Sequence, residues 1–190
     1  MANEEIQRDR TGAASADRTV SFRTANLVAL VATVAMAGVA VALWTAIWGF
    51  EPGLRDLAGQ TLGLALFGPA LLVGIVVHEA IHAVCFHLIG RVPREQIRFG
   101  IHGRTLTPYV GTSAAMSARA YRASAAMPGI VLGAVPFAWG MAVGSPVVTL
   151  FGWVMLVSAA GDATVIWMLR GLPASTRVVD APDRVGCVLA

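Results

Sequence analysis

His78, Glu79 and His82 form the pattern His-Glu-x-x-His. Two histidines four positions apart on a helix project from one face, about one turn apart, so both imidazoles can reach one metal ion. The glutamate beside the first histidine can then take a proton from a water at that ion. This is zinc hydrolase chemistry, in which the metal keeps an open position and lowers the pKa of its water to about 7. The three residues lie inside a long apolar run, Leu62 to Ile89. An ionisable residue at that depth costs about 2.5–3.5 kcal/mol on insertion scales and therefore needs a partner or a function. A polar cluster that only hydrogen-bonds helices together is the competing explanation.

A catalytic zinc takes a third protein ligand. Glu79 and Asp162 are the carboxylates within the apolar segments. His82 precedes Arg91 by nine residues and Asp162 precedes Arg170 by eight. At about 1.5 Å per residue both lie roughly 12–14 Å from the same end of their helices. As the other carboxylate in the apolar segments, Asp162 is the candidate third ligand, and the depth match supports it independently, against the alternative that it pairs with an arginine or a backbone group. Gly161 before it would let a neighbouring helix or the metal approach. The other histidines and cysteines fit less well. His87 projects from nearly the opposite face to His78 and reads as a helix-end residue. Cys85 shares the face of His78, but buried cysteine is usually packing. His102 falls in a turn and is expected to be exposed.

The elements that must position these residues are membrane helices. The chain has 190 residues, 56% of them hydrophobic and 13% charged, and a mean hydropathy of +0.69. A soluble domain is nearer a quarter charged. Four spans are expected, Ala25–Trp48, Thr61–Ile89, Ala125–Val143 and Val147–Leu169, each near the roughly 20 residues that cross a bilayer. The first is too long for the roughly 7–15-residue core of a cleaved leader. Gly68-Pro69 could leave the start of the second irregular. Pro136 is expected to bend the third, and Gly129, Gly133, Gly140 and Gly144 form a stripe suited to close helix packing. Gly144-Ser145-Pro146 joins spans three and four as a tight turn.

Every basic residue is an arginine, and all but Arg55 fall in the N-terminal segment, the loop 91–124 or the C-terminal segment. The positive-inside rule places that side in the cytoplasm, with both termini, and predicts a multi-pass protein of the cell membrane. Trp44 and Trp48 then mark the outer interface and Trp167 the inner one. The net charge of +3 reflects topology, and no nucleic-acid partner is expected. Cys85 and Cys187 suggest no disulfide framework. Within the loop, Ile97, Phe99 and Ile101 alternate with Arg98 and Gly100, His102-Gly103 reads as a turn, and Thr105–Val110 is rich in strand formers, which predicts a short hairpin. The expected fold is an all-α integral membrane protein. Four transmembrane helices occupy a domain over residues 25–170, with a cytoplasmic loop carrying the hairpin and polar cytoplasmic tails at 1–24 and 171–190.

The chain resembles the site-2 protease class of membrane zinc metallopeptidases, and most closely the small prokaryotic zincin-peptidase family of unknown function. The matching residues are Val77-His78-Glu79-Ala80-Ile81-His82-Ala83, Gly161-Asp162, Phe99-Gly100-Ile101 with Thr107-Pro108-Tyr109, Tyr121 with Met127-Pro128, and Asp180-Ala181-Pro182-Asp183-Arg184-Val185-Gly186-Cys187. The resemblance implies Zn2+ held by His78, His82 and Asp162, with Glu79 as general base. The distal motif here is Gly-Asp-Ala, where site-2 proteases carry an Asn/Leu-Asp-Gly type. The expected activity is hydrolysis of peptide bonds in membrane or membrane-adjacent protein segments. A catalytically inactive adaptor or metal-binding protein on the same scaffold is the second reading, and an ion or proton transporter the third.

Overall fold

A computed structural model describes residues 17–50, 59–102, 107–181 and 185–190. Its helices follow the apolar segments. Helix α1 is Phe22–Trp48, opened by the Ser21 hydroxyl accepting from the Thr24 amide, the usual way a serine satisfies a free N-terminal donor. Helix α2 is Thr61–Leu88 and runs unbroken through Pro69. Helix α3, Ala118–Pro128, continues through a π-helical stretch, Gly129–Ala134, into α4, Val135–Val143. Helix α5 is Pro146–Ser158 and α6 is Ala160–Leu169.

Among the described residues, three stretches are long and apolar enough to cross a bilayer: Leu27–Trp48, Thr61–Leu88 and Ala118–Val143. Helices α5 and α6, bent by 46° at their junction, supply a fourth if taken as one span. The outer faces of these helices are bare hydrocarbon. Leu30, Val34, Leu62 and Leu72 are each at least 60% exposed. Apolar surface of that extent is costly in water and natural in lipid.

The third and fourth spans differ in detail from the sequence expectation. The third begins at Ala118, because Ser117 caps a more polar turn that precedes the apolar run. Before Pro136 the helix takes a π-helical form over Gly129–Ala134. Proline has no amide to donate, and the preceding turns widen so that Val135 N–H reaches the carbonyl of Ile130. The fourth span is interrupted at Ala159, whose backbone (φ −80°, ψ 8°) leaves the helical range.

The glycine stripe packs as expected. A Cβ on Gly140 would stand 2.4 Å from the Thr149 amide nitrogen, and one on Gly152 would stand 2.2 Å from that of Phe137. Only hydrogen side chains allow α4 and α5 to approach so closely. Gly144 turns the chain with φ 68° and lies against the Trp48 ring, whose Nε1 donates to the Met141 carbonyl at 2.9 Å.

The fold is mostly helical, not all-α. The hairpin is present, with β2 (Ile97–His102) antiparallel to β3 (Thr107–Thr112). His102 ends β2 and does not occupy the turn, which lies outside the described residues, as do Arg8, Arg10, Arg55, Arg104 and Arg184. A second sheet has the order β1-β6-β5-β4, built from Asp17–Val20, Val185–Leu189, Arg177–Asp180 and Met116–Ser117. The two segments read from sequence as polar tails therefore supply three of its four strands. They are short, and their apolar residues become a recognisable face only once β1 pairs with β6. The best-buried core lies where this sheet meets the helix ends, with Met116, Leu169, Val178 and Cys187 fully enclosed beside Phe86 and Tyr121.

Candidate metal centre

Helix α2 presents His78 and His82 on its buried face, their rings 5.0 Å apart and edge to face. The break at Ala159 starts a new helix, and Asp162 occupies its first turn. A carboxylate is favoured there by the unpaired amides of a helix N-terminus. The far end of α6 is tied down by Arg122 of α3, which donates to the carbonyls of Leu169 at 2.8 Å and Leu172 at 3.3 Å.

These elements bring the three side chains together. His78 Nε2 lies 3.1 Å from Asp162 Oδ2 and His82 Nε2 lies 3.3 Å from Oδ1. Ligand atoms of all three residues lie within 4.8 Å of one another. A tetrahedral zinc with bonds of about 2.0–2.1 Å separates its ligands by roughly 3.3 Å, so the spacing suits the ion. The hydrogen-bond pattern agrees. His82 Nδ1 lies 3.2 Å from the Ser124 carbonyl oxygen, which can only accept, so Nδ1 carries a proton. With that proton on Nδ1, a neutral ring presents the Nε2 lone pair toward Asp162, where it could ligate a metal ion. A backbone carbonyl accepting from the other ring nitrogen is the common support of a metal-ligating histidine. The donor set and its geometry fit a metal ion.

Glu79, next to His78, is half-buried and within electrostatic range of His78, His82 and Asp162. Its carboxylate is faced by the backbone amide of Val110 on β3, so the hairpin lies against the motif.

Behind His82 the rings of His82, Phe86 and Tyr121 follow one another at centroid distances of 6.1 and 5.9 Å. The Tyr121 hydroxyl donates to Asp180 Oδ1 at 2.8 Å. Burial raises the Asp180 carboxyl above its usual range, opposed by that bond and by the Thr112 and Ala181 amides. A Cβ on Gly111 would stand 2.5 Å from Asp180 Oδ2, so glycine is what lets β3 lie this close. Sequence reasoning noted Tyr121 and Asp180 only as matching residues. Their sequence signal was a tyrosine and an aspartate in otherwise unassigned segments.

The remaining candidates fall away from the cluster. His87 Nδ1 bonds the Val92 carbonyl at 2.9 Å and finishes α2. Cys85 is buried on α2 and outside the ligand group. Gly161 is expected to admit a neighbouring helix or the metal, and among the described residues nothing from another element stands within 4 Å of where its Cβ would be.

The described residues form a mostly helical protein with membrane-length apolar helices, in which buried His78 and His82 and half-buried Asp162 could hold a metal ion beside Glu79. Residues 71–177 match the family described as "putative zincin peptidase", and the chain belongs to that family. No curated protein and no solved structure matches the chain.

Proposed function

We propose that this protein is a membrane-embedded zinc metallopeptidase that cleaves membrane or membrane-adjacent protein segments. The observation that carries the reading is the convergence of both Nε2 atoms on the two oxygens of Asp162, with Glu79 next to His78 in the chain. Zinc held by His78, His82 and Asp162 would supply Lewis-acid polarisation of a carbonyl and a more acidic water. Glu79 takes the proton of the attacking water and passes it to the leaving amine. Ser124 holds the His82 ring in the tautomer that leaves Nε2 free. The helices α1 to α6 span the bilayer four times, with the arginine-rich side and both termini in the cytoplasm.

A helical substrate hides its peptide bonds and must be drawn out. Strand β3 has β2 on one side, and its Val110 amide faces Glu79 on the other. An extended segment pairing with that edge would lie across the catalytic glutamate.

Metal content tests the reading. Detergent-purified wild type should hold about one zinc per chain, lost or weakened in Asp162→Ala and His82→Ala. A folded wild type that has never met chelator and holds no zinc would favour the adaptor reading.

A further inference from the structure

Away from the metal centre, a cleft of about 590 Å³ opens where α2 ends. Its lining includes Ile89, Arg91, Gln96, Ser113 and Arg177, with no carboxylate among the lining residues. Arg91 reaches it from an uncommon backbone. It is the one non-glycine residue with positive φ among the described residues, at 55°, a region in which L side chains are crowded. The neighbouring glycine cannot be exchanged for it, since a Cβ on Gly90 would stand 2.6 Å from the Phe86 carbonyl oxygen. Arg91 has no side-chain partner among the described residues, whereas Arg177 donates to the Ala115 carbonyl. The two arginines come from elements far apart in sequence, the exit of α2 and strand β5.

We propose that this cleft binds a phosphate group, and that its source is the headgroup of an anionic phospholipid in the leaflet next to the arginine-rich side. Guanidinium groups match phosphate oxygens in geometry and charge, and basic pockets at the cytoplasmic ends of membrane helices suit lipid headgroups. The surroundings favour lipid over soluble phosphate. Ile89 lines the cleft and is 43% exposed, and Leu88 beside it is 68% exposed. Val84, one turn back, is also exposed, which gives an acyl chain an apolar track along α2. Gln96 and Ser113 stand at the base of the hairpin, joined by the Ser113 amide donating to the Gln96 carbonyl at 3.2 Å. A bound headgroup would therefore brace the hairpin root against α2.

The inference rests on the membrane-spanning reading but not on peptidase activity. Its test uses the full chain, with native mass spectrometry and thermal unfolding in mixed micelles of phosphatidylglycerol or phosphatidylcholine, and in detergent with inorganic phosphate. Wild type should bind phosphatidylglycerol at least about ten-fold more tightly than phosphatidylcholine. Arg91→Gln should lose that preference, and so should Ala114→Glu, which sets a carboxylate in the cleft without touching either arginine. Zinc content and resistance of the membrane fraction to carbonate should stay at wild-type levels in both variants. Equal binding of the two lipids, or variants that bind phosphatidylglycerol as wild type does, would overturn the site. Inorganic phosphate binding as tightly as the lipid would overturn the lipid assignment. A wild type stripped from membranes by carbonate would instead overturn the membrane reading beneath it.

Discussion

The Tyr121 hydroxyl donates to Asp180 at 2.8 Å, and this bond joins the helix behind His82 to a strand from the last residues of the chain. Through Phe86 the tyrosine ring backs the His82 imidazole, and through Gly111 the aspartate meets the strand that faces Glu79. Tyr121→Phe removes one hydrogen bond to the half-buried Asp180 carboxylate, worth about 1.5–3 kcal/mol. Thermal unfolding should shift down accordingly, and zinc should bind more weakly than in wild type. An unchanged unfolding profile would show that the bond carries no stability.

Glu79→Gln keeps the shape of the side chain and removes its basicity. The variant should retain the metal stoichiometry of wild type and lose turnover by about 10²–10⁴-fold, the range of general acid–base catalysis. Peptide hydrolysis at the wild-type rate would exclude Glu79 as the base.

Removal of the hairpin, residues 97–112, tests the substrate-edge idea. A variant that folds and keeps its zinc should lose cleavage of protein substrates. Full cleavage without the hairpin would show that β3 does not hold the substrate.

The approach of α4 to α5 is tight enough that one methyl group should matter. In Gly152→Ala the new Cβ meets the Phe137 backbone, which cannot move aside as a side chain could. Overpacking of this kind costs about 1–3 kcal/mol. The fall should appear in detergent unfolding curves, and an unchanged curve would mean the helices separate freely.

Cys187 is fully buried in the sheet, and burial, with the Asp180 carboxylate adding, pushes its thiol up to about 11. An unfolded cysteine titrates near about 8.5. The raised value means that folding favours the neutral thiol. Its contribution to stability is full below that unfolded value and is lost as pH rises toward 11. Peptide mapping after maleimide treatment at neutral pH should find Cys187 unlabelled in the folded protein and labelled once it is unfolded.

Local chemistry made much of the site legible. Four-residue spacing sets His78 and His82 on one helix face whatever surrounds the helix, and Asp162 stands out as the one other carboxylate in the apolar segments besides Glu79, at a matching depth. The hairpin declared itself by alternation at Ile97, Phe99 and Ile101. The break at Ala159 did not, because Ser158-Ala159-Ala160-Gly161 contains no proline and continues an apolar run. The break places Asp162 in the first turn of α6.

By itself the sequence determined the apolar helices, the paired histidines and the glutamate between them, since these follow from composition and from the 3.6-residue period of a helix. Tertiary structure alone decided that Asp162 faces both imidazoles, that the Ser124 carbonyl meets His82 Nδ1, and that the terminal segments close into one sheet over Tyr121. Each of those depends on contacts between residues at least 42 positions apart, from Ser124–His82 upward. No local pattern encodes such contacts, because their energy appears only when the packed elements bring the groups within reach.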